Sequence, residues 1–350
     1  MRFAALGDSL TVGLGDPVPG GDGGGWRGWA ALLAPALRPE PGGVVLLNCA
    51  GSGALTLDVA GEQLAEALGH RPHLASVVVG ANDTLRGGFD IEAICLRLDT
   101  VFGALHAQGA VLMTACLPDP GRMLGLPWPL ARPLGRRMRS LNHIVHHLSR
   151  HYGAVHLHIG DHSWVLDRAA WSADRLHPSE WGHRLLAREF HTLLAAAGLA
   201  AGAPPSITPQ GPGPGRAASV HWMATRGTRW VLDRCTDLLP DLLGLAAVEC
   251  RHQVRGTTAA LELAAHRATV GAIAALNLPD LPAAGRRTAV AALAHPDGHF
   301  TAPAAHLRCD GAAGDAACAR PSTDMPKGTL NNSGRWPHRG SSHSMRERRH

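Results

Sequence analysis

The chain has 350 residues and a formal net charge of +5, and this length accommodates two domains. Residues 286–350 contribute ten basic and five acidic side chains, so the whole positive excess lies there and residues 1–285 are neutral overall. A neutral main body argues against a nucleic-acid-binding surface.

The sequence also argues against a membrane span and a disulfide framework. No uninterrupted apolar run approaches the roughly 18 residues that a membrane-spanning helix needs, and the six residues before the first motif are too few for a secretory signal. The seven cysteines are odd in number and contain no Cys-x-x-Cys pair. We therefore expect a reduced protein of the cytoplasm.

Short apolar runs alternate with segments of helical periodicity over residues 1–200, which predicts a parallel sheet with helical crossovers. The predicted strands are 2–6, 44–48, 76–79, 110–115 and 154–158. The predicted helices are 26–37, 57–68, 91–106, 141–151 and 179–197. These elements predict one α/β domain with a five-stranded parallel sheet.

The chain changes character after residue 200. Residues 201–215 are rich in glycine and proline and are predicted to form a linker. Residues 216–278 are predicted to form a helical extension that docks on the first domain, with pairing between subunits or contact with a membrane surface as alternatives. Residues 279–350 have few large apolar side chains and are expected to be disordered, because they cannot bury enough surface to offset the entropy of ordering.

Four short blocks follow predicted strands or precede the last helix of this domain. They are Gly7-Asp8-Ser9-Leu10, Gly51, Gly80-Ala81-Asn82-Asp83 and Asp174-Arg175-Leu176-His177. Because ligands of such sheets bind outside the carboxyl ends of the strands, we expect the blocks to converge there.

The blocks supply the parts needed for acyl transfer at an ester or thioester carbonyl. Ser9 is the candidate nucleophile and His177 its base. Asp174, three residues before His177, is expected to orient the imidazole. The backbone N–H groups of Ser9 and Gly51 and the side-chain amide of Asn82 are the candidate oxyanion-hole donors.

Each block taken alone has an ordinary structural explanation. Gly-Asp-Ser-Leu can be a helix-capping turn, and Asp174 can cap a helix without any catalytic role. Gly51 can end a strand, and Asn82-Asp83 can form a turn. The order of all four blocks along successive strands favours the catalytic interpretation, whereas Asp8 and Asp83 are predicted to be structural.

Over residues 1–198 these blocks resemble those of the SGNH hydrolases, also called the GDSL esterase/lipase family. The Val77-Val78-Val79-Gly80 run and His177-Pro178-Ser179 add to the resemblance. The resemblance implies a flavodoxin-like three-layer α/β/α sandwich, ester hydrolysis through an acyl-enzyme without metal or cofactor, and the roles given above. It also implies that residues 20–25 and the loop 118–137 lie where substrate specificity varies.

A histidine-rich helix is the one other candidate for chemistry. His143 and His147 have the i, i+4 spacing that can hold a metal ion, and His146 and His151 lie in the same segment. No acidic third ligand stands at a diagnostic spacing. We therefore predict a solvated helix face and no metal site.

The sequence thus predicts a serine hydrolase that cleaves small carboxylic esters. A thioesterase or an acyltransferase would use the same site. A non-catalytic binding protein that uses the helices of residues 216–278 as its partner surface is the alternative from another functional class.

Overall fold

The computed structural model describes residues 1–18, 25–40, 43–211 and 239–278. All of the described residues belong to one compact unit. The predicted tail, residues 216–238 of the predicted helical extension and most of the glycine-rich segment 20–25 lie outside them. Residues 201–211 of the predicted linker form neither helix nor strand.

The centre of the protein is a five-stranded sheet in the order β2-β1-β3-β4-β5, with every neighbouring pair parallel. The strands are β1 (Arg2–Gly7), β2 (Val45–Asn48), β3 (Leu74–Val78), β4 (Val111–Cys116) and β5 (Val155–His158). This is the flavodoxin-like order, so the predicted fold class is confirmed. Strands β3 and β4 are buried along their whole length, which explains why all their residues except Ser76 and Thr114 are apolar.

One side of the sheet is covered by α1 (Ser9–Val12), α2 (Gly28–Leu37) and α9 (Glu180–Ala196). Helices α2 and α9 pack against each other, and the rings of Trp29 and Phe190 stack with centroids 4.8 Å apart. Both rings are almost fully buried. This contact holds the last helix of the domain beside the first crossover helix.

The other side is covered by α4, α6 and α8, which pack on β1, β4 and β5. The remaining short elements connect strands to these helices. The helices of this half are α3 (Thr56–Asp58), α4 (Leu64–His70), α5 (Ala81–Leu85), α6 (Ile91–Ala107), α7 (Pro120–Leu124) and α8 (Trp128–His151). A π-helical turn, Val59–Gln63, joins α3 to α4, and three 3-10 turns lead from β5 toward α9.

The segment 118–137, predicted to be a loop, is largely helical, and this prediction is wrong. It contains α7 and the first turns of α8, which begins at Trp128 rather than at residue 141. Pro133 lies inside α8, where proline removes a backbone hydrogen bond. The helix persists because Leu134, Met138 and Leu141 bury their side chains, and this burial outweighs the local penalty.

Two further helices, α10 (Leu239–Val254) and α11 (Thr258–Ala275), pack on the outer face of α8, and α11 also packs on α6. Arg136 of α8 joins all three helices, with ion pairs to Glu249 of α10 at 2.9 Å and to Glu262 of α11 at 3.0 Å. The described part of the extension therefore docks on the α/β domain. Within the described ranges, none of the helices combines the length and apolar character that a membrane crossing requires.

The Arg136–Glu249 pair gives the first testable prediction. The side chain of Glu249 is 1% exposed and that of Arg136 is 12% exposed. We expect Glu249→Ala to lower the free energy of unfolding by about 3 kcal/mol. This value is the lower end for a broken buried pair, because Arg136 would still have its ion pair with Glu262. Urea unfolding measures this change, and hydrogen exchange over residues 239–275 localises it.

Glu262→Ala is the matched control. Glu262 is 50% exposed, so its removal is expected to cost less than about 1 kcal/mol. Equal losses in the two variants would contradict the assignment of Glu249 as the buried anchor of the extension.

Candidate active site

The loop that carries Ser9 is fixed by close packing at the end of β1. Gly7 has a positive φ of 153°, and a Cβ there would collide with the carbonyl oxygen of Val78, so this position requires glycine. The side-chain amide of Gln63 receives the Gly7 N–H at 2.8 Å and donates to the Gly7 carbonyl at 2.9 Å. Asp8 then caps α1 by accepting the Leu10 N–H at 3.0 Å. The hydroxyl of Ser9 is thereby presented at the carboxyl edge of the sheet.

The structure brings Ser9, His177 and Asp174 together, although Ser9 and His177 are 168 positions apart in the sequence. His177 Nε2 lies 2.8 Å from Ser9 Oγ, and His177 Nδ1 lies 2.6 Å from Asp174 Oδ2. Both distances are within hydrogen-bonding range, and they have the geometry of a nucleophile, a base and an orienting carboxylate.

Asp174 is held as a carboxylate by its neighbours. Its Oδ1 accepts the backbone N–H groups of Leu176 at 2.9 Å and His177 at 3.0 Å, and the Ser172 hydroxyl at 2.6 Å. Burial alone would raise the pKa of Asp174, but the hydrogen bond and charge interaction with the His177 side chain, together with the hydrogen bonds from the Ser172 hydroxyl and the His177 N–H, lower it to about 2. Asp174 therefore stays ionised at neutral pH.

The loop of Asp174 and His177 is closed by backbone hydrogen bonds. Ser172 N–H donates to the His177 carbonyl at 2.8 Å, and Ser179 N–H donates to the Ala170 carbonyl at 2.9 Å. Arg175, between the two bonds, takes a left-handed conformation with φ of 58°. These bonds make the Asp-x-x-His block a compact unit at the start of α9.

The three predicted oxyanion-hole donors differ in whether their N–H groups already make a hydrogen bond. In the described part of the chain, the Ser9 N–H has no hydrogen-bond partner. One Nδ2 hydrogen of Asn82 donates to the Ala54 carbonyl at 3.1 Å, which leaves its second hydrogen available. The Gly51 N–H donates to the Gly7 carbonyl at 3.2 Å, so Gly51 is engaged in a backbone hydrogen bond.

Asp8 and Asp83, the two acidic residues predicted to be structural, both accept hydrogen bonds from backbone N–H groups. Asp83 accepts the Thr56 hydroxyl at 2.7 Å and the Thr56 N–H at 3.1 Å. Burial raises the pKa of Asp83, and burial raises the pKa of Asp8 to about 6. Asp8 and Asp83 brace the loops that follow β1 and β3.

A cavity of about 310 Å³ opens beside Ser9, His177 and Asn82. Its wall is mostly apolar. The apolar lining includes Leu14, Leu85, Leu117, Met123, Leu124, Met138, Ile159, Trp164, Trp171 and Leu176. The sequence analysis missed Trp164 and Trp171, because the 3-10 turns after β5 have no periodicity that would single them out.

The GDSL-like lipase/acylhydrolase family matches residues 5–185, which is more than half of the chain. No curated protein matches the chain.

Solved structures with a similar fold include three hydrolases. An acetylxylan esterase from Geobacillus stearothermophilus is 20% identical, with 55% of this chain and 93% of that chain covered and a TM-score of 0.44. The psychrotrophic esterase EstA from Pseudoalteromonas sp. is 22% identical, with 55% and 96% covered and a TM-score of 0.42. A lipase/acylhydrolase from Enterococcus faecalis is 20% identical, with 55% and 93% covered and a TM-score of 0.43.

The family match covers all of β1 to β5 except the start of β1, and it includes Ser9, Gly51, Asn82, Asp174 and His177. The chain therefore belongs to the GDSL-like lipase/acylhydrolase family and is an ester-hydrolysing enzyme of that type.

Proposed function

We propose that this enzyme cleaves small carboxylic esters through a covalent acyl-enzyme on Ser9. The observation that carries the proposal is the 2.8 Å distance between Ser9 Oγ and His177 Nε2. At this distance His177 takes the hydroxyl proton as the Ser9 oxygen attacks the ester carbonyl. His177 then returns that proton to the departing alcohol, and the acyl group stays on Ser9.

Water completes the cycle by the same steps in reverse. His177 removes a proton from water, the resulting hydroxide attacks the acyl-enzyme, and the carboxylic acid leaves as Ser9 recovers its proton. Asp174, held as a carboxylate, orients the ring through Nδ1 and stabilises the imidazolium that forms in each half of the cycle. Asp174 accepts no proton in this scheme.

We assign the oxyanion hole to the Ser9 N–H and the free Nδ2 hydrogen of Asn82. Both groups lie at the wall of the cavity beside the nucleophile. Gly51, the third donor predicted from the sequence, would contribute only by sharing or releasing its hydrogen bond to Gly7. Two preorganised donors are enough to stabilise the developing negative charge.

The cavity favours an apolar substrate group. Apolar side chains, chiefly leucine, methionine and tryptophan, form most of its wall, and the polar lining includes Ser9, Asn82 and His177. An aliphatic acyl chain of several carbons would remove this surface from water on binding. We therefore propose an apolar acyl ester as the substrate class. A cytoplasmic location remains a prediction from the cysteine pattern of the sequence.

The nucleophile is tested by Ser9→Ala with p-nitrophenyl butyrate. We expect kcat to fall at least about a thousandfold, because the acyl-enzyme cannot form. The wild-type protein is expected to react with a fluorophosphonate probe, and the variant is not. Equal release of nitrophenol by both proteins would refute the proposal and favour a non-catalytic role.

Asn82→Ala tests the oxyanion hole. We expect kcat to fall about 100- to 1,000-fold, the usual effect of removing one side-chain donor, with a smaller change in KM. Asn48→Ala is the matched control, because the Asn48 amide braces the neighbouring loop by donating to the Thr11 carbonyl at 2.9 Å. A loss of kcat in Asn48→Ala as large as that in Asn82→Ala would mean that loop bracing, not oxyanion binding, explains the effect.

A series of p-nitrophenyl esters tests the substrate class. Each methylene that the cavity buries contributes about 0.8 kcal/mol, so we expect kcat/KM to rise about 15-fold from acetate to butyrate. Met123→Trp, which narrows the cavity, is expected to reduce this preference. A wild-type rate that falls steadily from acetate upward would contradict an apolar acyl pocket.

A further inference from the structure

A second cluster of reactive side chains lies on the face of the sheet that α8 covers. It consists of Cys116 at the end of β4, His146 on α8, and His156 and His158 on β5. One ligand atom from each residue lies within 4.8 Å of all the others. None of the four residues lines the cavity beside Ser9.

The fold brings these residues together from three separate elements, so their spacing along the sequence does not indicate a cluster. Cys116 and His158 are paired residues of neighbouring parallel strands. His156 and His158 are two positions apart on one strand and so project from the same face. Helix α8 packs on β4 and β5 and contributes His146 to the cluster. The centroids of the three imidazole rings are 4.7 to 4.8 Å apart.

Two ring nitrogens of the cluster have unfulfilled hydrogen-bonding capacity. His146 Nε2 and His156 Nε2 are buried and have no hydrogen-bond partner in the described part of the chain. A buried polar atom without a partner is unfavourable, and native proteins rarely keep one without a reason. Here both orphaned atoms belong to the same cluster as a buried thiol.

A chain of hydrogen bonds fixes the tautomer of His156. Ser149 Oγ donates its only proton to the Val145 carbonyl at 2.5 Å, so it must accept from Thr114 Oγ1 at 2.7 Å. Thr114 Oγ1 can then only accept from His156 Nδ1 at 2.8 Å. The proton of His156 therefore sits on Nδ1 and the lone pair on Nε2. Metal-binding histidines are oriented by outer hydrogen bonds of this kind.

We propose that Cys116, His146, His156 and His158 bind a zinc ion. One thiolate and three imidazoles form a four-ligand set that suits Zn²⁺. Ligand atoms of a tetrahedral zinc site are spaced about 3.3–3.6 Å apart, so the side chains close by about 1 Å on binding. Because the protein supplies all four ligands, the site is structural and leaves no position for a substrate.

The ion would tie the edge strand β5 to β4 and α8. His143 and His147, the pair with metal-binding spacing in the sequence, are not part of this cluster, whereas His146 of the same helix is. The alternating His156-Leu157-His158 pattern on a predicted strand is the signal that could have indicated the site.

The test uses the untagged full-length protein, freed of metal with a chelator and then exposed to ZnCl₂. After gel filtration we expect wild type to retain about one zinc per chain, measured by inductively coupled plasma mass spectrometry. Cys116→Ser and His156→Ala are expected to bind zinc at least about tenfold more weakly. Cys250→Ser and His147→Gln are matched controls outside the cluster and should bind as wild type does.

Cobalt provides a readout that does not depend on the folding of any variant. With CoCl₂, wild type should show the intense visible bands of tetrahedral cobalt and a thiolate-to-cobalt charge-transfer band. Weak octahedral bands without charge transfer would overturn the proposal. So would failure of wild type to retain zinc after gel filtration, or zinc retention by folded Cys116→Ser and His156→Ala equal to that of wild type.

Discussion

The candidate site depends on one hydrogen bond, between Ser9 Oγ and His177 Nε2, which joins the loop after β1 to the segment after β5. Ser9 follows β1 near the middle of the sheet, whereas His177 follows β5 at its edge, with β3 and β4 in between. The chain must therefore cross the carboxyl edge of the sheet before α9 begins. The three 3-10 turns and the backbone pairing of Trp171 with Pro178 provide this crossing.

Polar contacts also hold the loop of Ser9 against the start of α9. Arg27 pairs with Asp16 and with Glu180, the first residue of α9, at 2.9 Å each. His183, fully buried one turn further on, lies within hydrogen-bonding distance of the Leu14 carbonyl. The Ser9–His177 distance is thus supported by contacts that do not involve Ser9, His177 or Asp174 themselves, which is the support that a preorganised site needs.

The sequence was informative where chemistry is local and less so where it depends on packing. All five strands and the Asp174–His177 unit follow from periodicity and short motifs, with strand ends shifted by one or two residues. The engagement of Gly51 was not predictable, because its hydrogen bond to Gly7 continues the ladder between β2 and β1 and depends on strand register. Helix α8 extends through Pro133 because burial against the sheet outweighs a local signal that would end a helix.

The proposed zinc site adjoins the cavity beside Ser9. Leu117 and Ile159 line the cavity, and each directly follows a proposed ligand, Cys116 or His158. Strand β5 is only four residues long and pairs with β4 alone in the described sheet, so hydrogen bonds to a neighbouring strand restrain it on one side only. The chain from β5 also leads to His177. A metal ion bound at this edge would therefore stabilise both the apolar wall of the cavity and the segment that leads to His177, without contacting the substrate.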